Sequence, residues 1–506
     1  MKNFIVLLLL SAAIQQLSAQ QPAFITDSLD AYIQREMERW KIPGMAVAIV
    51  KDGKTVVSKG YGVSDIETKQ KVDENTLFMI ASNTKLFTGT ALAMLANDGR
   101  LSLEDKVVDF LPYFKMHNET LTPMVTVEDI LSHRLGFETF QGDFFNWGNN
   151  VTRKRIIENI GNNEAVYDFR DTWGYCNAGF VTAGEIIPAV TDTSWDDFIL
   201  HHFFIPMEMN RSSTTYEKIV ADKNACKAYT MSSGKLVKLQ YDNLNNIAAC
   251  ASINSCVNDI SHWMITQLDE GKYKGKEIIS EQAIMDTRFP RSIVSDGRSG
   301  LFKSQHFDLY GLGVGLNDYE GRQLVWHTGG ADGFVTTVCM IPDEELGISI
   351  LTNTDANYLF LAALYQIIEA YFEMPYRNLS STFYSFYERN EKAKDQEIEE
   401  WYTTAAKGAK AELSLKEYAG TYYNSVYGKM EIKLEKGNLN MYFEHHPQLT
   451  GKLQLLKGND FVCTYDPINW GVKEIPFAVE NEEVKSVTIT INDFIDFMPY
   501  EFIKED

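Results

Sequence analysis

Ser82-Asn-Thr-Lys85 puts a hydroxyl and an amine three residues apart, and residues at that spacing share one face of a helix. Thr76 to Ala81, just before it, is mostly apolar and ends abruptly. From Ser82 onward Leu86, Leu92, Ala93 and Leu95 recur at helical intervals. The expected local structure is an entry segment that turns into a helix at Ser82. A serine hydroxyl is a poor nucleophile until a neighbouring base takes its proton. A lysine can be that base once burial or nearby positive charge lowers its pKa from about 10.4. A helix N-terminus adds N–H donors for developing negative charge. These are the parts of a nucleophile for attack on a carbonyl.

The same pattern recurs at Ser232-Ser-Gly-Lys235, in a stretch without helical periodicity that reads as a loop or strand edge. Order and company single out Ser82. Tyr175-Cys-Asn177 follows 93 residues later and His327-Thr-Gly-Gly330 follows 245 residues later. Tyr-x-Asn recurs at Tyr241-Asp-Asn243 and Tyr422-Tyr-Asn424, whereas His-Thr-Gly does not recur.

Around these motifs, Thr26 to Trp40 reads as an amphipathic helix, with Leu29, Ile33, Met37 and Trp40 on one stripe and Thr26 as its cap. Ala46 to Val50 and Thr55 to Ser58 are β-rich runs joined by Asp52-Gly53, a hairpin signal. Residues from Leu86 to about Asp308 are mainly helix and loop around Tyr175. Strand patterns return at Leu309 to Gly315, Gln323 to His327, Phe334 to Ile341 and Gly347 to Asn353, and an apolar helix follows from Tyr358 to Phe372. Antiparallel strands packed against an N-terminal and a C-terminal helix, with a helical insertion, make an α+β plan. Pro375 closes that unit. Glu388 to Lys410 is charged and helix-prone. Beyond it short strands at Lys429 to Leu434, Leu439 to Glu444, Phe461 to Tyr465 and Ser486 to Ile491 suggest a small β-barrel or sandwich.

Ser-x-x-Lys, Tyr-x-Asn and Lys/His-Thr-Gly in this order resemble the motifs of the class C β-lactamase-related serine hydrolases, whose fold is shared with penicillin-binding proteins. Pro43-Gly-Met-Ala-Val-Ala-Ile-Val50, Gly60-Tyr-Gly62, Asp129-Ile-Leu-Ser-His-Arg-Leu-Gly136 and Tyr310-Gly-Leu-Gly313 resemble further family segments in the expected order. The likeness covers about residues 25 to 375. Leu413-Ser-Leu-Lys-Glu-Tyr-Ala-Gly-Thr-Tyr422 resembles the start of the lipocalin-like domain that often follows such hydrolases. The expected domains are a signal peptide (1–19), a hydrolase domain (20–375), a helical linker (376–412) and a lipocalin-like β domain (413–506).

The resemblance implies acyl transfer in two steps. Ser82 attacks, Lys85 accepts its proton, and Tyr175 holds or relays that proton to the leaving group; either Lys85 or Tyr175 is the formal base. It also implies that Asn177 hydrogen-bonds the substrate's amide and that the N–H groups of Ser82 and Gly330 hold the oxyanion. His327 departs from the pattern. Penicillin-recognising relatives usually carry lysine there, a permanent anchor for a substrate carboxylate, whereas histidine is mostly neutral at pH 7. Relatives with histidine include D-amino-acid peptidases, amidases and esterases, so a D-amino-acid peptide or amide, or a small ester, is the expected substrate. The alternatives are a β-lactamase or DD-carboxypeptidase, or a non-catalytic cell-wall binding or sensing protein. Ser255-Cys-Val-Asn-Asp259 resembles another family segment, with Ala251 and Ser252 in place of its usual glycines. His133 carries a structural role in that comparison, and Trp173 is expected to pack.

Lys2, the apolar run Phe4 to Ile14 and Leu17-Ser-Ala19 read as an export signal with a cleavage site, without a lipid-anchor cysteine. A periplasmic or secreted protein without a membrane span is expected. The 506 residues suffice for two or more cores, and a net charge of −22 disfavours nucleic acid and anionic membranes as partners. The surface is expected to be acidic and solvated. Six cysteines are too few for a disulfide scaffold; export permits a bridge between Cys250 and Cys256, and buried thiols fit as well. Cys176 reads as a packing residue. His201-His202 and His445-His446 are adjacent pairs without metal-ligand spacing, and no cofactor is implied. Self-association, if any, is expected through the C-terminal domain.

Overall fold

The computed structural model describes residues 21–297 and 300–505. The expected signal peptide, residues 1–19, lies outside the described residues. Eight antiparallel strands form the main sheet: β1 (Gly44–Lys51), β2 (Lys54–Gly62), β3 (Ser292–Ser295), β4 (Asp308–Tyr310), β5 (Gly315–Tyr319), β6 (Arg322–Ala331), β7 (Phe334–Ile341) and β8 (Leu346–Thr352), in the order β2-β1-β8-β7-β6-β5-β4-β3. The helices that matter for the site are α1 (Leu29–Trp40), α2 (Thr84–Asn97), α3 (Asp143–Asn146), α4 (Asn177–Thr191), α5 (Ala248–Ala251), α6 (Val257–Leu268), α7 (Leu359–Tyr371) and α8 (Leu379–Ala406). Among the described residues no helix is long and apolar enough to cross a membrane.

The side-chain alternation of β1 sets the layers. Met45, Val47 and Ile49 pack with α1 and α7 on one face, while Ala46, Ala48 and Val50 face the helical insertion on the other. Small residues on the second face let a helix come close: at Gly347 of β8 a Cβ would sit 3.0 Å from Met264 Cβ on α6. The Asp52-Gly53 hairpin forms as expected, with both residues at positive φ (51° and 71°). Thr26 does not cap the first helix, because the chain already coils in a π-turn over Phe24–Ser28 before α1 begins. Edge strand β3, with Ile293 exposed, has no alternation to betray it.

Residues from Gly420 close into an eight-stranded antiparallel barrel: β9 (Gly420–Asn424), β10 (Gly428–Glu435), β11 (Asn438–Phe443), β12 (His446–Lys457), β13 (Asp460–Asp466), β14 (Val472–Glu480), β15 (Glu483–Ile489) and β16 (Tyr500–Lys504). Helix α8 bridges the two units. Near its start Ser380 Oγ accepts from Trp40 Nε1 (2.9 Å) and donates to Glu36 (2.7 Å). Near its end the hydroxyls of Tyr402 and Thr464 lie 2.6 Å apart. The barrel is more than an appendage. One apolar cluster runs from the helical insertion through Phe144 and Phe145 into Tyr427, Phe443 and Trp470 of the barrel. The Phe144 ring stacks on His446 (centroids 4.8 Å), and His446 Nε2 donates to the carbonyls of Phe144 (2.8 Å) and Trp147 (3.0 Å). Burial pushes the His446 pKa down to about 4, so it serves as a neutral donor.

The sheet grips the Ser82 turn at the Ile80 carbonyl and through a bond from Asn83 Nδ2 to Thr336 Oγ1 (2.8 Å). Ile80 O accepts from Asn83 Nδ2 (3.2 Å) and from Thr336 Oγ1 of β7 (3.0 Å). Strand β6 passes so close that a Cβ on Gly329 would lie 2.0 Å from that oxygen. Gly329→Ala should therefore cost about 2–4 kcal/mol, read as a lowered midpoint in urea unfolding. An unchanged midpoint would mean that β6 and the turn can separate.

Candidate active site

Ser82 lies on a 3-10 turn, Ala81–Asn83, and the α-helix starts only at Thr84. Ala81, at φ 47°, occupies the left-handed region that a β-carbon disfavours. The Ile80 contacts and the pairing of Phe78 and Met79 with Ser255 and Asn254 hold this strained turn. Its result is a half-buried Ser82 between buried Ala81 and Asn83.

Lys85, one turn on, is fully buried. Its Nζ donates to Ser82 Oγ (3.1 Å), Asn177 Oδ1 (2.7 Å) and the Cys250 carbonyl (3.0 Å). Three donors meet three neutral acceptors. With no carboxylate in contact, burial pulls the amine down to about 8. Nζ also stands 4.7 Å over the Tyr175 ring, a cation–π contact while the amine is charged.

The Tyr175 hydroxyl is buried and lies beside Ser82, its one hydrogen-bonding neighbour among the described residues. Burial first, and Tyr310 next, raise its pKa well above the usual phenol value. Of the two candidate bases, Lys85 is the one whose proton affinity falls into the neutral range.

Behind Tyr175 runs a chain of neutral rings with a fixed direction. The Cys176 N–H donates to His133 Nδ1 (3.0 Å), which leaves Nε2–H of His133 to face Tyr310 Oη (3.3 Å). Tyr310 Oη then donates to His327 Nε2 (3.0 Å), and His327 Nδ1 donates to the Thr328 carbonyl. Burial and the nearby Lys85 pull His327 down to about 3. Both its nitrogens are engaged within the protein, where they support Tyr310 and the strand. Trp173 packs beside His133, Tyr175 and Tyr310.

Asn177 opens α4, and its amide is also spoken for: Oδ1 faces Lys85 and Nδ2 donates to Asp143 (2.6 Å). These two internal bonds use one lone pair of Oδ1 and one hydrogen of the NH2 group. Gly330 lies on β6 beyond the end of its pairing with β5 at Trp326, so residues 327–331 have one strand edge unpaired. Phe494 of the barrel lies over the sheet face at Gly330, where a Cβ would come 2.8 Å from its ring. Phe497 meets Phe140 (5.3 Å), which in turn meets Tyr175 (5.5 Å).

The structure thus gathers Ser82, Lys85, Tyr175, Asn177, His327 and Gly330 around the nucleophile turn. The chance repeats lie elsewhere: Ser232 and Lys235 end a two-stranded hairpin, Tyr241 bonds the Cys226 carbonyl and Tyr422 sits in the barrel core. All six cysteines are buried and unpaired, and burial pushes the Cys176 thiol up to about 12. Among the described residues no cluster of His, Cys, Asp and Glu is arranged to hold a metal. Sequence reading missed Asp143, which sits in Gly142-Asp-Phe-Phe without periodicity, and the role of Tyr310.

Residues 29–371 match the family model described as Beta-lactamase, and residues 404–504 match a domain of unknown function, DUF3471. Protein flp of Staphylococcus aureus (strain MW2) is 28% identical over 335 residues, covering 65% of this chain and 64% of flp. The chain thus spans just under two thirds of that relative's length. Unguisins hydrolase ungD' of Aspergillus campestris (strain IBT 28561) is 24% identical over 438 residues, 83% of this chain and 79% of the relative. The octameric penicillin-binding protein homologue from Pyrococcus abyssi superposes with a TM-score of 0.60 at 22% identity, covering 95% of this chain and all of that one. SurE superposes at 0.56 and 16% identity, covering 95% of this chain and 98% of that one. These two likenesses show the fold.

An amine held near 8 and a histidine held near 3 give a clear pH signature. The rate of acetylation by p-nitrophenyl acetate should rise with pH in one step centred near 8, as Lys85 loses its proton. A separate inflection near 6.5 that His327→Asn abolishes would contradict this assignment.

Proposed function

The chain belongs to the Beta-lactamase family; from that premise we propose that it is a serine hydrolase and forms an acyl-enzyme on Ser82 with neutral amides or esters. The observation that carries the reading is the 3.1 Å contact between Lys85 Nζ and Ser82 Oγ in a pocket with no carboxylate touching the amine. The neutral amine takes the Ser82 proton as Oγ bonds to the carbonyl carbon. The oxyanion is held by the N–H groups of Ser82 and Gly330. As the scissile bond breaks, the proton passes from Lys85 by way of Tyr175 Oη to the leaving nitrogen or oxygen. Tyr175 suits the relay because its buried hydroxyl lies beside Ser82. Water then attacks the ester with the same groups in reverse order.

Substrate class follows from what surrounds Ser82. His327 is neutral and enclosed, and Lys85 is buried, so neither offers an anchor to a free carboxylate. Phe140, Phe494 and Phe497 bring aromatic surface to the flank of Tyr175 and Gly330. Amides of apolar D-amino acids and short esters fit this description better than penicillins or peptides with a free C-terminus. The name hydrolase of the Aspergillus campestris relative agrees with the chemistry. The signal-like run Phe4 to Ile14 supports export to the periplasm or medium. The octameric homologue supports self-association, with the C-terminal barrel as the contact.

A fluorophosphonate should label the mature protein on Ser82, and Ser82→Ala should abolish both labelling and turnover. In a screen of D- and L-amino-acid anilides, p-nitrophenyl esters and nitrocefin, neutral apolar compounds should exceed nitrocefin in kcat/KM by at least about tenfold, some 1.4 kcal/mol of transition-state binding. Labelling on Ser232 would sink the nucleophile assignment, and rapid nitrocefin turnover would make a β-lactamase the better reading.

A further inference from the structure

We propose that Asp143 is a positioning residue for the Lys85 amine, acting through Asn177, and that the C-terminal barrel holds it in place. The proposal rests on the Ser82–Lys85 reading above. Asn177 can face Lys85 with its carbonyl or its NH2. Only the carbonyl can accept from an ammonium; turned over, two donors would confront each other at the 2.7 Å seen here. What fixes the amide is Asp143 Oδ2, which accepts Nδ2–H of Asn177 at 2.6 Å. Asp143 Oδ1 accepts from Asn146 Nδ2 (3.0 Å), so both carboxyl oxygens are committed and the group cannot swing away.

The barrel secures the backbone on both sides of this carboxyl. The Gly142 N–H donates to Tyr500 Oη (2.9 Å), and the Phe144 N–H donates to Asp496 Oδ2 (3.1 Å). Asp496 is itself fixed by the hydroxyls of Tyr427 (3.1 Å) and Tyr500 (2.9 Å). The Phe144 carbonyl takes the His446 donor, and the Phe144 ring fills a socket of Tyr427, Phe443, His446 and Trp470. The barrel end thus receives a catalytic-domain loop. A four-residue helix could not hold its own place.

Charge enters as well. The groups that face Asp143 are Asn146 on its own helix, Cys176 and Asn177 at the start of α4, Tyr175 before it, Lys85 on α2, Cys250 on α5 and Asp496 from the barrel. Burial raises the Asp143 carboxyl to about 7, with Asp496 adding to the rise. When ionised, Asp143 favours the charged form of Lys85. Its removal should therefore lower the pH at which Lys85 becomes a base, while the loss of Asn177 orientation should lower the rate.

The test is the pH profile of full-length protein with p-nitrophenyl acetate. Asp143→Asn should lower kcat by roughly 10- to 100-fold with little change in KM, and move the alkaline-rising limb down by about one pH unit. Tyr500→Phe keeps the ring in place but frees the Gly142 N–H and one bond to Asp496; it should give a smaller fall in kcat, again with KM preserved. Loss through misfolding alone would scale the whole profile without moving its limb. If Asp143→Asn is insoluble, Tyr500→Phe decides. Folded variants whose profiles superimpose on the parent would overturn the proposal while leaving Ser82 chemistry intact; labelling elsewhere than Ser82 would overturn both.

Discussion

Everything in this molecule has to accommodate one buried amine. Lys85 is enclosed completely and no carboxylate touches it. Taking its pKa from 10.5 to about 8 means that the folded chain binds this proton less tightly than the unfolded one. Burial therefore costs about 3 kcal/mol of stability at every pH below about 8, and the cost fades as pH rises towards 10.5. A carboxylate partner would remove that cost and also remove the base, because the proton would then stay on the amine. The surroundings are built to avoid this. Glycines let backbone close over the helix: at Gly313 a Cβ would lie 2.4 Å from the Lys85 carbonyl, and at Gly89 one would lie 2.0 Å from the Leu312 carbonyl.

The same requirement explains the neutral rings. His133, Tyr310 and His327 form a chain in which each donor has one acceptor, and protonating His327 would leave Tyr310 without an acceptor beside a second cation. Burial keeps both imidazoles uncharged. Among the described residues the carboxyl that acts on the amine, Asp143, stands behind Asn177 instead of touching it. The barrel's role follows from how little the Asp143 loop can do alone. Burying a phenylalanine such as Phe144 contributes about 1.5–3 kcal/mol, and in this fold that energy ties the loop to a second domain.

Much of this was legible in the chain. Ser82, Lys85 and Tyr175 declared themselves by residue type and order, and the strands at Phe334–Ile341 and Leu346–Thr352 by dense β-branched runs. The start of the nucleophile helix was off by two residues, because a 3-10 turn has no periodicity of its own. In the barrel, β12 was hidden by Pro447 and Gly451 and β14 by Pro476, residues that ordinarily argue against a strand. The protein-side partners of Asn177 and His327 were not legible for a different reason. Sequence gives a side chain's type, but whether its polar atoms face substrate or protein depends on partners far away, here Asp143 and Tyr310. Asp143 itself is an acid in an apolar loop, and only the fold shows that the loop is pinned by Tyr500 and Asp496.

The central claim, that Lys85 is an amine poised to lose its proton near neutrality, can be tested without any substrate. Protein labelled with ¹⁵N at lysine Nζ, in the Ser82→Ala background so that no acylation intervenes, should show one side-chain resonance titrating near pH 8. That resonance should vanish in Lys85→Arg. If every lysine resonance titrates at about 10 or above, Lys85 is a permanent cation in this site and cannot be the base.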